Sequence, residues 1–128
     1  MTNSGYVLSI KSDSNTAGAN VHLWKKTSTN YMKFQFTYSG SGYYKIKDVV
    51  SGKYLGVADQ SSSSGANVEQ QTDGTLWQVL SDETGAWYLV PKTATGSCLD
   101  LSGNKVENGR NIDIYTANMT TAQRWKLQ

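Results

Sequence analysis

GANV stands at residues 18–21 and again at residues 65–68, and GRNI at residues 109–112 repeats its glycine, asparagine and apolar positions. The phrases are 47 and 44 residues apart in a chain of 128, so one phrase marks three successive units. Self-similarity at a period of about 40 residues is typical of repeat architectures. We therefore predict three units, at residues 1–41, 42–85 and 86–128.

The segments before these phrases align as VLSIKSD (7–13), YLGVADQ (54–60) and CLDLSGN (98–104). Their apolar residues alternate with a period of two, which is typical of a half-buried strand. Leu99 and Leu101 then face inward in the third unit. The residue between each apolar pair faces outward: Ser9, Gly56 and Asp100. A glycine-containing loop and a second strand follow each time, so every unit contains a β-hairpin.

A further aromatic-centred strand is predicted to end each unit, at residues 34–39, 76–82 and 124–128. Another strand opens the second and third units, at residues 43–50 and 87–93, whereas only MTNSG precedes Tyr6. The chain is therefore predicted to be all-β, as a single domain over residues 1–128, with the first strand of the first unit missing. A propeller usually needs at least about four blades, so we expect a closed threefold barrel.

Composition and charge argue against several classes of function. The net charge of +2 is spread along the chain, so no footprint for nucleic acid is visible. No apolar run approaches the roughly 20 residues of a membrane span, and the first residues lack the features of a signal peptide. Cys98 is the only cysteine, and no cluster has metal-ligand spacing. We predict no nucleic-acid partner, membrane insertion, metal or cofactor.

The third unit carries a family resemblance. It reads CLDLSGN, GRNIDIYTAN and AQRW in order, and ends on Gln-x-Trp at residues 123–125. This pattern resembles the ricin-B-type lectins, which are carbohydrate-binding modules with the β-trefoil fold. The equivalent positions in the other units match more loosely, as MKF at residues 32–34 and TLW at residues 75–77. The resemblance covers nearly the whole chain and implies a barrel capped by three hairpins, with up to three shallow sugar sites.

The resemblance implies a principal site in the third unit. The residues predicted to form it are Asp100, Asp113, Tyr115, Asn118 and Gln123. Asp100 falls on the position of the family's sugar-binding aspartate and Tyr115 on its stacking position. A sugar needs both groups, because a carboxylate accepts strong hydrogen bonds from hydroxyls and a ring covers the apolar C–H face. Ala122 stands where many relatives have asparagine, so that amide contact is either lost or taken over by Asn118.

The other two units fit the sugar-site pattern less well. A weaker site is predicted in the first unit from Ser9, His22, Trp24 and Asn30. Trp24 supplies a platform there, but Ser9 replaces the aspartate. In the second unit Gly56 and Gln71 replace the aspartate and the aromatic residue, so we expect no binding. Each site residue also has a structural interpretation: Asp100 as a turn acceptor, Tyr115 and Trp24 as cap residues, Gln123 as an internal hydrogen-bonding group.

An enzyme is not predicted. His22 and Cys98 lie in no nucleophile motif. Asp100 and Asp113 could be considered as the two catalytic carboxyl groups of a glycosidase. On an exposed hairpin, however, nothing would raise the pKa of the acid. His22, as a lone imidazole, is expected to be an exposed polar residue.

The sequence thus predicts a non-catalytic carbohydrate-binding module for galactose-type or xylan and arabinan sugars. It would belong to a longer secreted glycosidase or cell-surface protein, outside the cell, whose upstream residues supply the missing strand. Two alternatives stay open. One is a protein-interaction or protease-inhibitor trefoil that uses its loops, and the other is a degenerate trefoil that acts as a spacer.

Overall fold

The computed structural model describes residues 5–127. Within that range the chain forms ten strands, which follow one another along the three units: β1 Tyr6–Ile10, β2 Val21–Lys25, β3 Phe34–Gly40, β4 Tyr43–Asp48, β5 Tyr54–Val57, β6 Val68–Gln71, β7 Trp77–Ser81, β8 Trp87–Pro91, β9 Ser97–Leu101 and β10 Ile112–Thr116. Five single 3-10 turns interrupt them: Lys11–Asp13, Asn30–Met32, Ala58–Gln60, Ser102–Asn104 and Thr121–Gln123. No described helix is long and apolar enough to cross a membrane.

The strands build a barrel with three caps. Each unit has one antiparallel hairpin: β1 with β2, β5 with β6, and β9 with β10. The other strands pair around the barrel in the order β3, β4, β7 and β8. Trp87 then bridges Trp125 through backbone hydrogen bonds of 2.7 and 2.9 Å. This is the β-trefoil arrangement. A strand was predicted at residues 124–128. Within the described residues this segment forms only the bridge at Trp125, and Gln128 lies outside the described residues.

The first strand of each hairpin is shorter than predicted. The alternation at 7–13, 54–60 and 98–104 suggested strands throughout, but each strand ends at the residue before a 3-10 turn. Each turn contains residues with positive φ, among them Ser12 at 58°, Asp59 at 56° and Gly103 at 68°. A left-handed residue reverses the chain direction, so the strand cannot continue through it. The last three residues of each predicted strand are therefore turn, and the prediction was wrong there.

The thrice-repeated phrase lies where the three caps meet. Its asparagines form a closed ring, in which each side-chain Nδ2 donates to the Oδ1 of the next: Asn20 to Asn111 at 2.8 Å, Asn111 to Asn67 at 2.9 Å and Asn67 to Asn20 at 2.8 Å. The amide carries a donor and an acceptor on one short side chain, so three copies satisfy one another. Every unit must supply one asparagine to close the ring.

The glycine and the apolar residue of the repeated phrase stabilise the fold in different ways. The backbone N–H groups of the three glycines donate to the next hairpin, from Gly18 to Gln70 O at 2.7 Å, Gly65 to Ile114 O at 2.6 Å and Gly109 to Leu23 O at 2.8 Å. Each glycine has a φ between 82° and 90°, which a side chain would strain. Val21, Val68 and Ile112 follow and are fully buried. Apolar burial of this kind supplies most of the stabilisation.

The barrel core is less complete in the first unit. The predicted inward pairs of the second and third units are buried: Leu55, Val57, Leu99 and Leu101. Ile10 is buried as well, but Leu8 is only partly covered. Phe34 is also partly covered, whereas its counterparts Trp77 and Trp125 are buried. Residues 5–127 contain no strand before β1. The prediction that the first strand is missing also concerns Met1–Ser4, which lie outside the described residues.

Candidate functional site

The third hairpin brings the predicted aspartates together. In the register of β9 and β10, Asp100 is directly opposite Asp113 and Cys98 is opposite Tyr115. Directly opposed side chains share one face of the ladder, with Cβ atoms about 4.5–5.5 Å apart, and diagonal neighbours are about 7–8 Å apart. Asp100 and Tyr115 are therefore diagonal neighbours on the same face. The Tyr115 ring is 48% exposed, as a stacking platform must be.

Gln123 holds Asp100 in place. Its Nε2 donates to Asp100 Oδ2 at 2.9 Å and to the Thr116 carbonyl at 3.0 Å. Its Oε1 accepts the backbone N–H of Asn118 at 3.0 Å. The side chain is fully buried, so Gln123 does not contact a ligand directly, and the prediction of a ligand contact is corrected. Trp125, two residues on, donates from Nε1 to the Leu99 carbonyl at 3.1 Å, which fixes this segment against β9.

Asn118 is exposed on the loop that leaves β10. Its Oδ1 accepts from the Thr120 backbone N–H at 3.2 Å and from the Thr120 hydroxyl at 2.9 Å. The carbonyl end of the amide is therefore used within its own turn. Its Nδ2 makes no hydrogen bond to any residue in 5–127, so a donor remains for a ligand. Ala122, where many relatives have asparagine, is buried.

The two carboxyl groups are buried more deeply than the sequence suggested. Asp100 is only 5% exposed, and burial raises its pKa, against which the hydrogen bond from Gln123 acts. Burial raises the pKa of Asp113 to about 6, with the neighbouring Asp100 carboxylate as the second cause. The expectation that nothing on this hairpin raises an acid's pKa was therefore wrong. The alternation predicted which face of β9 carries Asp100, but not what buries that face. The Thr121–Gln123 turn packs on β9 and covers it.

The Asp113 carboxylate is incompletely satisfied. Its Oδ1 is buried and has no hydrogen-bond partner among the described residues. Leaving a buried polar atom unpaired costs roughly 1–3 kcal/mol. Cys98 lies beside this pair, buried against Tyr88 and Val90, and burial raises the pKa of its thiol, with the Asp100 carboxylate contributing. Among residues 5–127, no group of His, Cys, Asp or Glu side chains could hold a metal ion.

The first hairpin has a pocket with different chemistry. Ser9 is opposite His22, and Trp24 stacks on His22 with ring centroids 5.2 Å apart. His22 is buried, which corrects the expectation of an exposed residue, and burial lowers its pKa, with Lys11 as the second cause. These three residues line a cavity of about 440 Å³.

The lining of this first-hairpin pocket differs from the prediction. Asn30 is exposed and does not line the cavity, so that assignment is corrected. Asp13, Thr29 and Met32 line it instead. Asp13 lies in a 3-10 turn with a φ of 50°, which carries it out of the strand's alternation and onto the cavity. A positive φ at a non-glycine residue has no reliable signal in one sequence, so Asp13, which is near in sequence but off the aligned position, was not assigned to the site.

The second hairpin is closed. Gly56 is opposite Glu69, and the Gln71 side chain lies over Gly56 so closely that a Cβ atom at that position would collide with it. Gln71 is held there because its Nε2 donates to the Val57 carbonyl at 2.9 Å and its Oε1 accepts from Gln60 at 2.8 Å. The space in which a sugar would lie is filled by a satisfied amide.

Comparison with known families agrees with this geometry. Two stretches, residues 30–115 and 73–128, match the family described as ricin-type beta-trefoil lectin domain-like. The chain belongs to this family. The matches cover most of the chain, including the whole of the second and third hairpins. A search of curated protein sequences finds no significant match.

Solved structures show the same trefoil. The designed threefold-symmetric protein ThreeFoil superposes with a TM-score of 0.91 at 29% identity, over 96% of this chain and 90% of that one. The exo-β-1,3-galactanase 1,3Gal43A from Clostridium thermocellum matches at 0.89 and 25% identity, over 96% of this chain but 29% of that one. The ricin B-like lectin of Macrolepiota procera, solved with lactose, matches at 0.77 and 18%, over 98% and 96%.

Proposed function

We propose that this ricin-B-type domain binds carbohydrate without catalysis, through the third hairpin. The observation that carries the proposal is the face shared by Asp100, Asp113 and Tyr115, with an exposed ring diagonal to a carboxylate. Gln123 orients that carboxylate from behind. The carboxylates accept hydrogen bonds from sugar hydroxyls, and the ring covers the apolar face of the sugar.

The site's shape sets the expected affinity. Hydrogen bonds to a charged group contribute about 1.5–3 kcal/mol each. The ring is open to solvent on one side, so we expect single sugars to bind with a Kd near 1 mM, about 4 kcal/mol. Retention on a polysaccharide then depends on tethering or repeated engagement, which raises the effective concentration.

We infer a galactose-type ligand as the first to test, with xylan and arabinan sugars second. Support comes from the galactanase, an enzyme of which this chain matches 29% at 25% identity. The same comparison supports a role as the targeting module of a larger secreted hydrolase or cell-surface protein. In that role the domain works outside the cell, and a tethered catalytic domain gains local substrate concentration.

The test is a titration of the domain with galactose, lactose and xylo-oligosaccharides, followed by calorimetry or NMR, together with a glycan array. The proposal expects a 1:1 complex with one of these sugars and chemical-shift changes at Asp113 and Tyr115. Asp100→Ala should remove binding, and Ser9→Ala, the same position of the first hairpin, should not. Absence of binding to every glycan would contradict the proposal and favour a protein-interaction trefoil.

A further inference from the structure

Backbone contacts bring a loop of the second unit to the third hairpin. The Gly65 N–H donates to the Ile114 carbonyl at 2.6 Å, and the Ile114 N–H donates to the Ala66 carbonyl at 3.0 Å. Asn67 bridges Asp113, one residue earlier in β10. The segment therefore lies along the edge of β10 that does not pair with β9, so a second unit borders the third-hairpin site.

One side chain holds the start of this segment beside Tyr115. Ser64 Oγ accepts from the backbone N–H of Thr116 at 2.9 Å and from the Thr116 hydroxyl at 3.1 Å. The contacts at Ile114 and Thr116 lie on either side of Tyr115 in β10. The serine loop, Ser61–Ser64, is therefore held beside the residue proposed as the platform.

The same contact occurs at the first hairpin and cannot form at the second. Asn108 Oδ1 accepts from the backbone N–H of Lys25 at 2.8 Å, which holds a loop of the third unit beside Trp24. The residue of the first unit that aligns with Ser64 and Asn108 is Ala17, whose side chain has no acceptor. A side-chain hydrogen bond from the neighbouring loop thus occurs beside both aromatic platforms, and not beside the filled hairpin.

The serine loop offers hydroxyl groups that the described part of the chain does not use. Ser62 and Ser63 are exposed, and within residues 5–127 their hydroxyls make no hydrogen bond. Ser61 Oγ, by contrast, accepts from the Ser63 backbone N–H at 3.0 Å. A serine hydroxyl can both donate and accept, as sugar hydroxyls do. The aligned loop beside the first hairpin instead carries an ion pair, Lys105–Glu107 at 3.4 Å. The third site is thus bordered by uncharged hydroxyls.

We propose that the serine loop is a second wall of the third-hairpin site and binds the sugar residue next to the one on Tyr115. The inference rests on the proposed carbohydrate function and deepens it, because the preferred ligand becomes a chain of at least two sugar residues. Ser62 and Ser63 exchange hydrogen bonds with hydroxyls of the second residue, and Ser64 positions them through Thr116. Each hydrogen bond between neutral groups should raise the affinity for the chain by about fivefold.

The experiment titrates the domain with galactose and lactose, and with xylose and xylotriose, by calorimetry or NMR. We expect wild type to bind the longer sugar of the preferred pair at least about fivefold more tightly than the monosaccharide. Ser62→Ala combined with Ser63→Ala should remove that difference and change monosaccharide affinity by less than about twofold. The matched control is Asn15→Ala combined with Thr16→Ala, at the aligned exposed positions of the loop beside the filled hairpin, and it should change neither affinity.

Ser64→Ala tests the positioning of the loop. It should lower the ratio of the two affinities by at least about threefold, and hydrogen exchange at the Thr116 amide should become at least about threefold faster. Ser64→Asn should restore both, because asparagine makes this contact at the first hairpin. Asn108→Ala, which removes the contact there, should leave the ratio unchanged.

Two results would overturn the serine-loop proposal alone. One is a wild-type domain that binds the longer sugar no more tightly than the monosaccharide, and the other is an equal loss for both sugars in the Ser62 and Ser63 variant. In both cases the monosaccharide binds to wild type, so the carbohydrate proposal stands. A wild-type domain that binds none of the four sugars would contradict the carbohydrate proposal itself, and the two failures are therefore distinguishable.

Discussion

The third and second hairpins have the same backbone arrangement, but their side chains leave the third open and fill the second. Both pair in the same antiparallel register, with a 3-10 turn after the first strand. In the third, Asp100 and Asp113 share a face with an exposed tyrosine ring. In the second, Gly56 leaves a gap into which the Gln71 side chain of β6 folds, and its Nε2 donates to the Val57 carbonyl of the partner strand β5. Threefold symmetry thus supplies three scaffolds, and the side chains at two diagonal positions decide which of them is open.

The largest effect is expected from Asp100→Ala. We predict a loss of affinity of at least about 100-fold, near 3 kcal/mol, because two charged hydrogen bonds are removed. Isothermal titration with the preferred sugar measures it. Ser9→Ala, at the matching position of the first hairpin, should change affinity by less than about twofold. Equal effects of the two substitutions would show that the hairpins do not differ in function.

Tyr115→Ala should weaken binding by roughly 10- to 30-fold, because the sugar loses the apolar area of the ring. Gln71→Ala, at the equivalent place in the second hairpin, should leave affinity unchanged. The same titration measures both variants. A Tyr115→Ala protein that binds and targets normally would favour a degenerate spacer.

Asp113→Asn should stabilise the fold by about 1–2 kcal/mol at pH 7.5, after allowance for partial solvent screening. The pKa of Asp113 is raised in the folded state to about 6, so the folded protein binds the proton more tightly than the unfolded chain. Wild-type stability therefore falls as pH rises from about 4 to about 6, and the penalty is complete above that range. Urea unfolding at pH 4 and pH 7.5 tests this. The variant should gain little at pH 4, and Glu69→Gln should gain little at either pH.

Sugar affinity should decrease by about threefold as pH falls from 7 to 5, because protonation of Asp113 removes a charged acceptor. Titration at several pH values measures the change. In Asp113→Asn the dependence over this range should be weaker. A wild-type affinity that rises on acidification would mean that the protonated form donates to the ligand.

The smallest effect is expected from Trp24→Ala, which should lower the total affinity of the wild-type domain by less than about twofold. In the first pocket Ser9 stands where the third hairpin has Asp100, and it lies opposite His22, whose pKa is lowered by burial. NMR titration of Asp100→Ala with and without Trp24→Ala isolates this pocket. Residual binding that depends on Trp24 would show a second, weak site.

The repeat and the face of each hairpin were readable from the sequence, because both follow from local spacing. Three phrases indicated three caps, the two-residue period set Asp100 on the opposite face from Leu99 and Leu101, and the family resemblance placed Asp113 and Tyr115 beside it. How deeply that face is buried could not be predicted from the sequence. Asp100 is covered by a turn that begins 21 residues further along the chain, and the local alternation of side chains cannot predict burial by so distant a segment. His22 was misassigned for the same reason, since the first-unit pocket encloses it.

Within the Gln-x-Trp motif, Gln123 shows which property the sequence predicts and which one only the structure decides. Gln-x-Trp identified the family, but the pattern alone left open whether the glutamine contacts a ligand or the protein. The buried Trp125 and its bond to Leu99 point Gln123 at Asp100, a contact between residues 23 positions apart.

By itself, the sequence determined the number of units, the glycine, asparagine and apolar residue at each junction, and the chemistry available on each hairpin. These depend on backbone conformation and side-chain period, which act over a few residues. The tertiary structure alone decided that the asparagines close a ring, that Gln71 fills one site and that burial raises the pKa of Asp113 to about 6. Burial and electrostatics are set by whichever distant segments pack around a group, and only the folded chain brings those segments together.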